Sequence, residues 1–282
     1  MAVSVRPIQF RRRNIPSALA YLVLVLLALF FLVPFTWLVL ASVNPSATFA
    51  VAFPQHATLN NFQTILTNGL VKDPFKNSFI IAISTMLFTI SLAGLAAYPL
   101  SRYAFRGKIV LMYVILFASG LPILALVTPL YAMYVQLNLV DTYWGVILFL
   151  VASGLPFGIW LMKNFLDSVP VEIEEAAWVD GATVFGGFWR IVLPLAAPGV
   201  AVVGVFSFLS SWTNFFVPFI IFQSPEHLPA SVSIYSFFGA YGEVSYGQLA
   251  AYAILYALPT IALYFIVSRF LVRGLVVGSL KG

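Results

Sequence analysis

Residues 163–194 read KNFLDSVPVEIEEAAWVDGATVFGGFWRIVLP, a charged, glycine-punctuated stretch set between two long apolar runs. Five of the chain's nine acidic residues, Asp167, Glu172, Glu174, Glu175 and Asp180, fall within its fourteen positions 167–180. Carboxylates gathered into one loop of an otherwise apolar chain present that loop to something, and a separate soluble protein is the expected partner. Pro170 suits the first turn of a helix, where its missing N–H is no loss. Glu172, Glu174 and Glu175 follow in the first two turns, where negative charge complements the helix dipole. Gly181 can take the left-handed conformation that ends a helix, so a second short helix is expected from near Ala182 or Thr183. On it Phe185, Phe188, Trp189 and Val192 recur at i, i+3, i+4 and i+7 as one apolar stripe. Pro194 and Pro198 then lead into the next apolar run. Such a hairpin can rest on lipid headgroups or dock in a groove of a partner. The acids favour the partner, because carboxylates sit poorly on an anionic inner leaflet.

Composition fixes the solvent. The 282 residues are 62% hydrophobic and 8% charged, against roughly 25% charged residues in a soluble domain. Such a chain cannot cover its apolar surface in water, so lipid surrounds most of it. The absence of cysteine excludes disulfides, thiolate metal sites and a cysteine nucleophile. The net charge of +5 is no nucleic-acid signature, because the basic residues flank apolar runs instead of forming a patch.

Six runs are long enough to cross a bilayer: about Ser17–Val43, Asn77–Ser101, Ile109–Val135, Tyr143–Met162, Leu195–Phe222 and Leu249–Ser268, and none contains Asp, Glu, Lys, Arg or His. Each approaches or exceeds the roughly 20 residues that span ~30 Å of hydrocarbon. Lipid leaves no backbone group unpaired, and these runs lack the alternation of barrel strands, so the fold class is all-α and polytopic with six transmembrane helices. The first run follows Arg11, Arg12 and Arg13 and is about twice the length of a signal-peptide core. It reads as an uncleaved anchor in preference to a cleaved signal.

With the amino terminus inside, twelve Lys and Arg residues lie on the inner side and only Lys72 and Lys76 outside, a strong positive-inside bias. Both termini, residues 102–108 and the 163–194 loop are then cytoplasmic, and residues 44–76, 136–142 and 223–248 face outward. The domain reading is a cytoplasmic segment 1–16, a first span with outer loop 17–76, a transmembrane core 77–272 with its loop at 166–194, and a cytoplasmic tail 273–282.

Proline and glycine interrupt several spans: Gly120-Leu121-Pro122, Gly154-Leu155-Pro156, Pro99 and Pro218. These bends serve either static packing or a cavity and hinge that change shape during transport. In the fifth span Ser207, Ser210, Ser211 and Asn214 share one helical face beside Trp212 and Thr213. Polar side chains there either bond across helices or line a wet pathway.

Glu175-Ala176-Ala177, Gly181, Ile191, Leu193 and Pro194 match, with both spacings, the Glu-Ala-Ala motif of permease subunits of ATP-binding-cassette importers. Over most of its length the chain resembles the maltose-type carbohydrate permeases, specifically the six-span subunit of the type I importer fold. The tail carries Ser279 where many relatives carry alanine. The resemblance implies that the loop is a coupling helix docking on a cytoplasmic ATPase, through Glu175, Ala176, Ala177, Asp180, Gly181 and Phe185. It implies that tail residues Gly278, Lys281 and Gly282 reach the ATPase interface. Ser207, Ser211, Trp212 and Asn214 would belong to the substrate pathway. The outer loop with Tyr235, Phe237, Phe238 and Tyr241 would contact an external sugar-binding protein, although such aromatics equally suit anchoring at the membrane surface. The implied partners are a homologous second permease, two copies of the ATPase, the binding protein and the bilayer, in a bacterial or archaeal plasma membrane. ATP and magnesium would be used by the ATPase, with no cofactor on this chain.

His56 and His227 lie in outer loops with no second ligand at metal spacing. No Gly-x-x-x-x-Gly-Lys-Ser/Thr phosphate loop occurs, so the chain is read as non-catalytic and driven from elsewhere. A glycerol phosphate cargo, an ion-coupled secondary transporter and a membrane sensor are the competing readings. Spans without an ionisable residue disfavour a proton relay.

Overall fold

The structure is a computed structural model, described for residues 17–120, 123–238 and 244–279. The helices in chain order are α1 (Ser17–Ser42), α2 (Asn60–Thr67), α3 (Lys72–Arg102), α4 (Lys108–Ala118), α5 (Ile123–Gln136) and α6 (Tyr143–Asp167), followed by α7 (Val171–Val179) and α8 (Val184–Gly187). A π-helical turn over Phe188–Val192 leads to α9 (Leu193–Leu195), α10 (Ala197–Trp212), α11 (Phe216–Ile221), α12 (Ala230–Ser233) and α13 (Tyr246–Ser279).

All six apolar runs of the sequence fall on helix. Among the described residues α1, α3, α6 and α13 are each long and apolar enough to cross a membrane, and α10 adds a fifth apolar helix joined to the hairpin through a bend of 79°. The third run is carried by α4 and α5, on either side of residues 121–122. α3 starts five residues before the expected Asn77 and passes through Pro99 to Arg102, where the Tyr103 N–H still bonds the Pro99 carbonyl. α13 continues past Ser268 to Ser279, so no break falls at the expected 272/273 boundary.

α3, α6 and α10 pack on one another to form the centre; α4 lies on α6, and α13 bridges α10, α1 and α2. At its hairpin end the centre buries Ala93, Ala97, Tyr98, Met162, Leu166, Phe188 and Val192, and toward the opposite end it buries Ile81, Val146, Phe149, Val217 and Ile221. Close helix contact at the hairpin end depends on Gly199, where a Cβ would stand 2.4 Å from the Phe165 Cβ. α1 is exposed along most of its length, as an apolar helix facing lipid requires.

The outer loops are bracketed by Asp141 and Asn77. Asp141, itself at φ +59°, accepts from the Gln223 and Ser224 N–H groups at 3.0 and 3.1 Å and from the Ser224 hydroxyl. His227 Nδ1 stands 3.1 Å from the same carboxylate, so this histidine belongs to the bracket and is not a plain surface residue. The Ser224 hydroxyl foremost, then the two backbone donors and His227, hold the Asp141 carboxyl well below the usual range, against a smaller opposing effect of burial. Asn77 Nδ2 donates to the Glu226 and Leu228 carbonyls at 2.8 and 3.1 Å, and Tyr143 Oη donates to its Oδ1 at 2.8 Å.

Candidate functional site

The 163–194 hairpin folds as two short helices clamped against the inner ends of α3 and α6. Pro170 is the residue before the first turn, one position earlier than the sequence suggested. α7 ends with the paired bonds of a Schellman cap: Gly181 N–H to the Trp178 carbonyl at 3.0 Å and Ala182 N–H to the Ala177 carbonyl at 2.9 Å. Gly181 has φ +87°, as that cap requires. Thr183 then caps α8, its hydroxyl accepting from the Gly186 N–H at 3.0 Å.

The five carboxylates do not act as one surface. Glu174 is 0% exposed; its Oε2 accepts from Arg102 Nε at 2.8 Å and its Oε1 from the Tyr98 hydroxyl. Asp167 pairs with Lys163 and accepts from the Ser101 hydroxyl at 2.7 Å. Glu172, Glu175 and Asp180 are exposed, and Asp167 is exposed too but neutralised by Lys163. The acid count therefore overstated the presented charge, because Glu174 is buried and Asp167 is paired with Lys163 at the surface.

The expected aromatic stripe also divides. Phe188 and Val192 are buried, the Phe188 ring 4.9 Å from that of Tyr98. Phe185 and Trp189 are exposed, with rings 6.0 Å apart. The cause is the π-turn at 188–192: its i→i+5 bonding widens the helix, so Phe188 and Val192 stay aligned while Trp189 rotates away. The free surface of the hairpin thus combines Glu175, Ala176, Val179, Asp180, Gly181 and Phe185, with Val179 and Phe185 88% and 64% exposed and Ala177 half-buried behind them. It is an apolar knob set among carboxylates.

A second feature lies between α3, α6 and α10. A cavity of about 240 Å³ is lined by seven Ser and Thr residues, Thr85, Thr89, Ser119, Ser153, Ser207, Ser210 and Ser211, with Gly154, Gly158, Phe157 and Phe206 among its apolar walls. No charged residue lines it. Ser211 Oγ donates to Thr85 Oγ1 at a long 3.4 Å, whereas Thr89 Oγ1 is buried without a partner among the described residues. Complete ligand pockets measure roughly 300–1,000 Å³, so this is the size of a share of one.

The four expected pathway residues part company here. Ser207 and Ser211 line the cavity. Trp212 is fully buried elsewhere, stacked between Phe208 and Tyr256 with centroids 5.6 and 5.4 Å away, and its Nε1 donates to the Tyr256 carbonyl at 3.2 Å. Asn214 caps α11, its Oδ1 accepting from the Val217 N–H at 3.0 Å. Thr85, Thr89, Ser119 and Ser153 were missed. Thr85 and Thr89 stand at i, i+4 on α3, a signal the sequence carried, but only packing shows that they face Ser153 and Ser207.

On the outer side Tyr235 and Phe238 are exposed, and Tyr235 closes an aromatic group with Phe215 and Phe219 at 5.2 and 6.2 Å. Phe237 is 3% exposed and packs on Tyr252 at 5.0 Å, so it faces the core and not a partner. Gly278 lies in the last turns of α13. Tyr241, Lys281 and Gly282 fall outside the described residues. Among the described residues no cluster of His, Cys, Asp and Glu could hold a metal ion.

The comparisons agree with this architecture. Residues 89–275 match the family described as binding-protein-dependent transport system inner membrane component. The chain is 33% identical over 274 residues to the maltodextrin transport system permease protein MdxG of Bacillus subtilis (strain 168), covering 96% of this chain and 98% of that one. It is 31% identical over 254 residues to the trehalose transport system permease protein SugB of Mycobacterium tuberculosis (strain CDC 1551 / Oshkosh), covering 89% and 93%. Its fold superposes, with a TM-score of 0.80 and 20% identity over 94% of this chain and 99% of the other, on a chain from a bacterial ABC transporter involved in the import of the acidic polysaccharide alginate. A second alginate transporter structure, in complex with a pentasaccharide-bound periplasmic protein, matches with a TM-score of 0.62 and 18% identity over 89% and 93% of the two chains. A multi-pass helical protein with this hairpin and these relatives belongs to the family of binding-protein-dependent transport system inner membrane components.

Proposed function

We propose that the chain forms one half of the membrane passage of an ATP-driven importer for an uncharged carbohydrate. The observation that carries the reading is the cavity between α3, α6 and α10, whose wall holds seven Ser and Thr residues and no charged one. Hydroxyls both donate and accept, which suits a solute that is itself a set of hydroxyls. A glycerol phosphate would be desolvated there with no cation to receive it, at a cost of several kcal/mol. The relatives named for maltodextrin and trehalose transport support the same cargo class.

The hairpin supplies the drive. Its exposed knob, with Val179 and Phe185 among Glu175 and Asp180, suits an apolar cleft with a basic rim on a cytoplasmic ATPase that binds ATP and magnesium. The tail around Gly278, Lys281 and Gly282 would meet the same ATPase. A homologous permease would complete the passage. Tyr235, Phe238 and Tyr241 would meet the external binding protein. The positive-inside bias supports a cytoplasmic side for both termini and the hairpin.

The test is uptake by vesicles holding the complete complex, with labelled maltodextrin, trehalose and glycerol 3-phosphate as probes. ATP-dependent uptake of a neutral sugar is expected, and replacing Thr89 with valine should lower it several-fold while leaving thermal stability equal or raised, because an unpaired buried hydroxyl is removed. Uptake of the phosphate alone, or uptake driven by an ion gradient without ATP, would overturn the reading.

A further inference from the structure

We propose that Arg102, Glu174 and Tyr98 form the joint through which the hairpin moves α3, and so act as positioning residues for transport. The proposal rests on the importer function above.

Glu174 and Glu175 are neighbours on α7 with opposite fates. Glu175 is exposed, whereas Glu174 is 0% exposed and reaches no outside partner. A buried carboxylate needs a paired charge and satisfied lone pairs, and Glu174 has both: Arg102 Nε at 2.8 Å on one oxygen and the Tyr98 hydroxyl on the other. Arg102 is the last residue of α3 and also donates through Nη1 to the Leu166 carbonyl, at 3.2 Å, near the end of α6. One guanidinium therefore gathers α3, α6 and α7 at a single point.

The geometry gives this point direction. The hairpin's other exit leads into α10 through a bend of 79°, a poor strut for transmitting a push. α3 is a single helix of 31 residues, and it carries Thr85 and Thr89 into the cavity. At 1.5 Å per residue Tyr98 and Arg102 stand about 14 and about 20 Å from Thr89 along the same helix, with Pro99 between the two joint residues. The Phe188 ring against Tyr98, at 4.9 Å, keeps the joint dry, and a dry ion pair is screened little by salt. Arg102 Nη2 is buried without a partner among the described residues. The planar fork can thus exchange one donor for another as the hairpin turns, keeping the pair while its angle changes.

The test compares uptake per ATP hydrolysed in vesicles holding the complete complex. Glu174→Gln and Arg102→Lys should each lower that ratio, by about tenfold and a few-fold respectively, with Tyr98→Phe close to the lysine variant. A protein merely destabilised would lose uptake and hydrolysis together and keep the ratio. Should Glu174→Gln fail to accumulate, the double variant Arg102→Met, Glu174→Met removes both charges and leaves none unpaired. It is expected to assemble and to show the same low ratio. A wild-type ratio in the double variant overturns the proposal, and so does its failure to assemble, which would assign the pair to folding. Absence of sugar uptake by the wild-type complex would instead sink the importer reading and leave the ratio undefined for every variant.

Discussion

Replacing Gly181 with valine isolates the backbone of the hairpin turn. Gly181 sits at φ +87° with nothing within 4 Å of the place a Cβ would occupy, so the penalty is conformational and owes nothing to collision. Holding an L-residue in that region costs roughly 1–2 kcal/mol, and a β-branched one stands at the upper end. The chain can relax only by giving up the Gly181–Trp178 and Ala182–Ala177 bonds, each contributing about 0.5–1.5 kcal/mol. Either route brings the penalty to about 2 kcal/mol, close to a thirtyfold shift in the population of the docking geometry. The melting temperature should fall by only a few degrees, since Glu174, Phe188 and Val192 anchor the hairpin on both sides of the turn. We predict a loss of up to about thirtyfold in affinity for the ATPase, read by titrating detergent-solubilised permease pair with ATPase subunits, with the hairpin still folded. Gly181→Asn should keep most of the affinity, because asparagine tolerates the left-handed region. Full affinity in the valine variant, or an asparagine variant as weak as valine, would refute the argument.

Two further outcomes follow from burial and charge. Phe188→Ala should cost about 3–5 kcal/mol of stability by opening a cavity against Tyr98, whereas Phe185→Ala should leave the melting temperature alone and weaken ATPase binding; the reverse pattern would mean that the inner and outer faces of the hairpin are misassigned. Asp141 is held below its usual range chiefly by the Ser224 hydroxyl, so its stabilising share is complete above pH ~4 and is lost as pH falls through the depressed folded value. Thermal unfolding across pH 3–8 should therefore show a flat response above pH ~5 and a falling acid limb, and Asp141→Asn should lower the neutral plateau and flatten that limb. An unaltered acid limb in the asparagine variant would exclude Asp141 as its source.

The sequence made the helices legible because lipid permits so few alternatives: an apolar run of sufficient length must pair its own backbone. Turn chemistry was equally readable at Gly181, where one residue type signals one conformation. Side-chain partners were not. Glu174 looked like its neighbour Glu175 because Arg102 and Tyr98 lie more than seventy residues away in the chain, and Arg102 looked like a topological flank. The 185–192 stripe was drawn with a period of 3.6, and a single wide turn was enough to divide it. Trp212 and Asn214 shared a neighbourhood with the cavity serines, yet helix α10 ends there, and beyond it sequence adjacency no longer means a common face.

The cavity wall has one more implication. Each Ser or Thr side chain can swivel to offer a hydrogen or a lone pair, so the lining imposes no fixed pattern that a passing ring must match. On the proposed reading, a corridor of this kind would be tolerant of anomer, linkage and ring orientation. Cargo choice would then be exercised before the solute arrives, and a lineage could change what it feeds on by exchanging the receptor while leaving the corridor untouched.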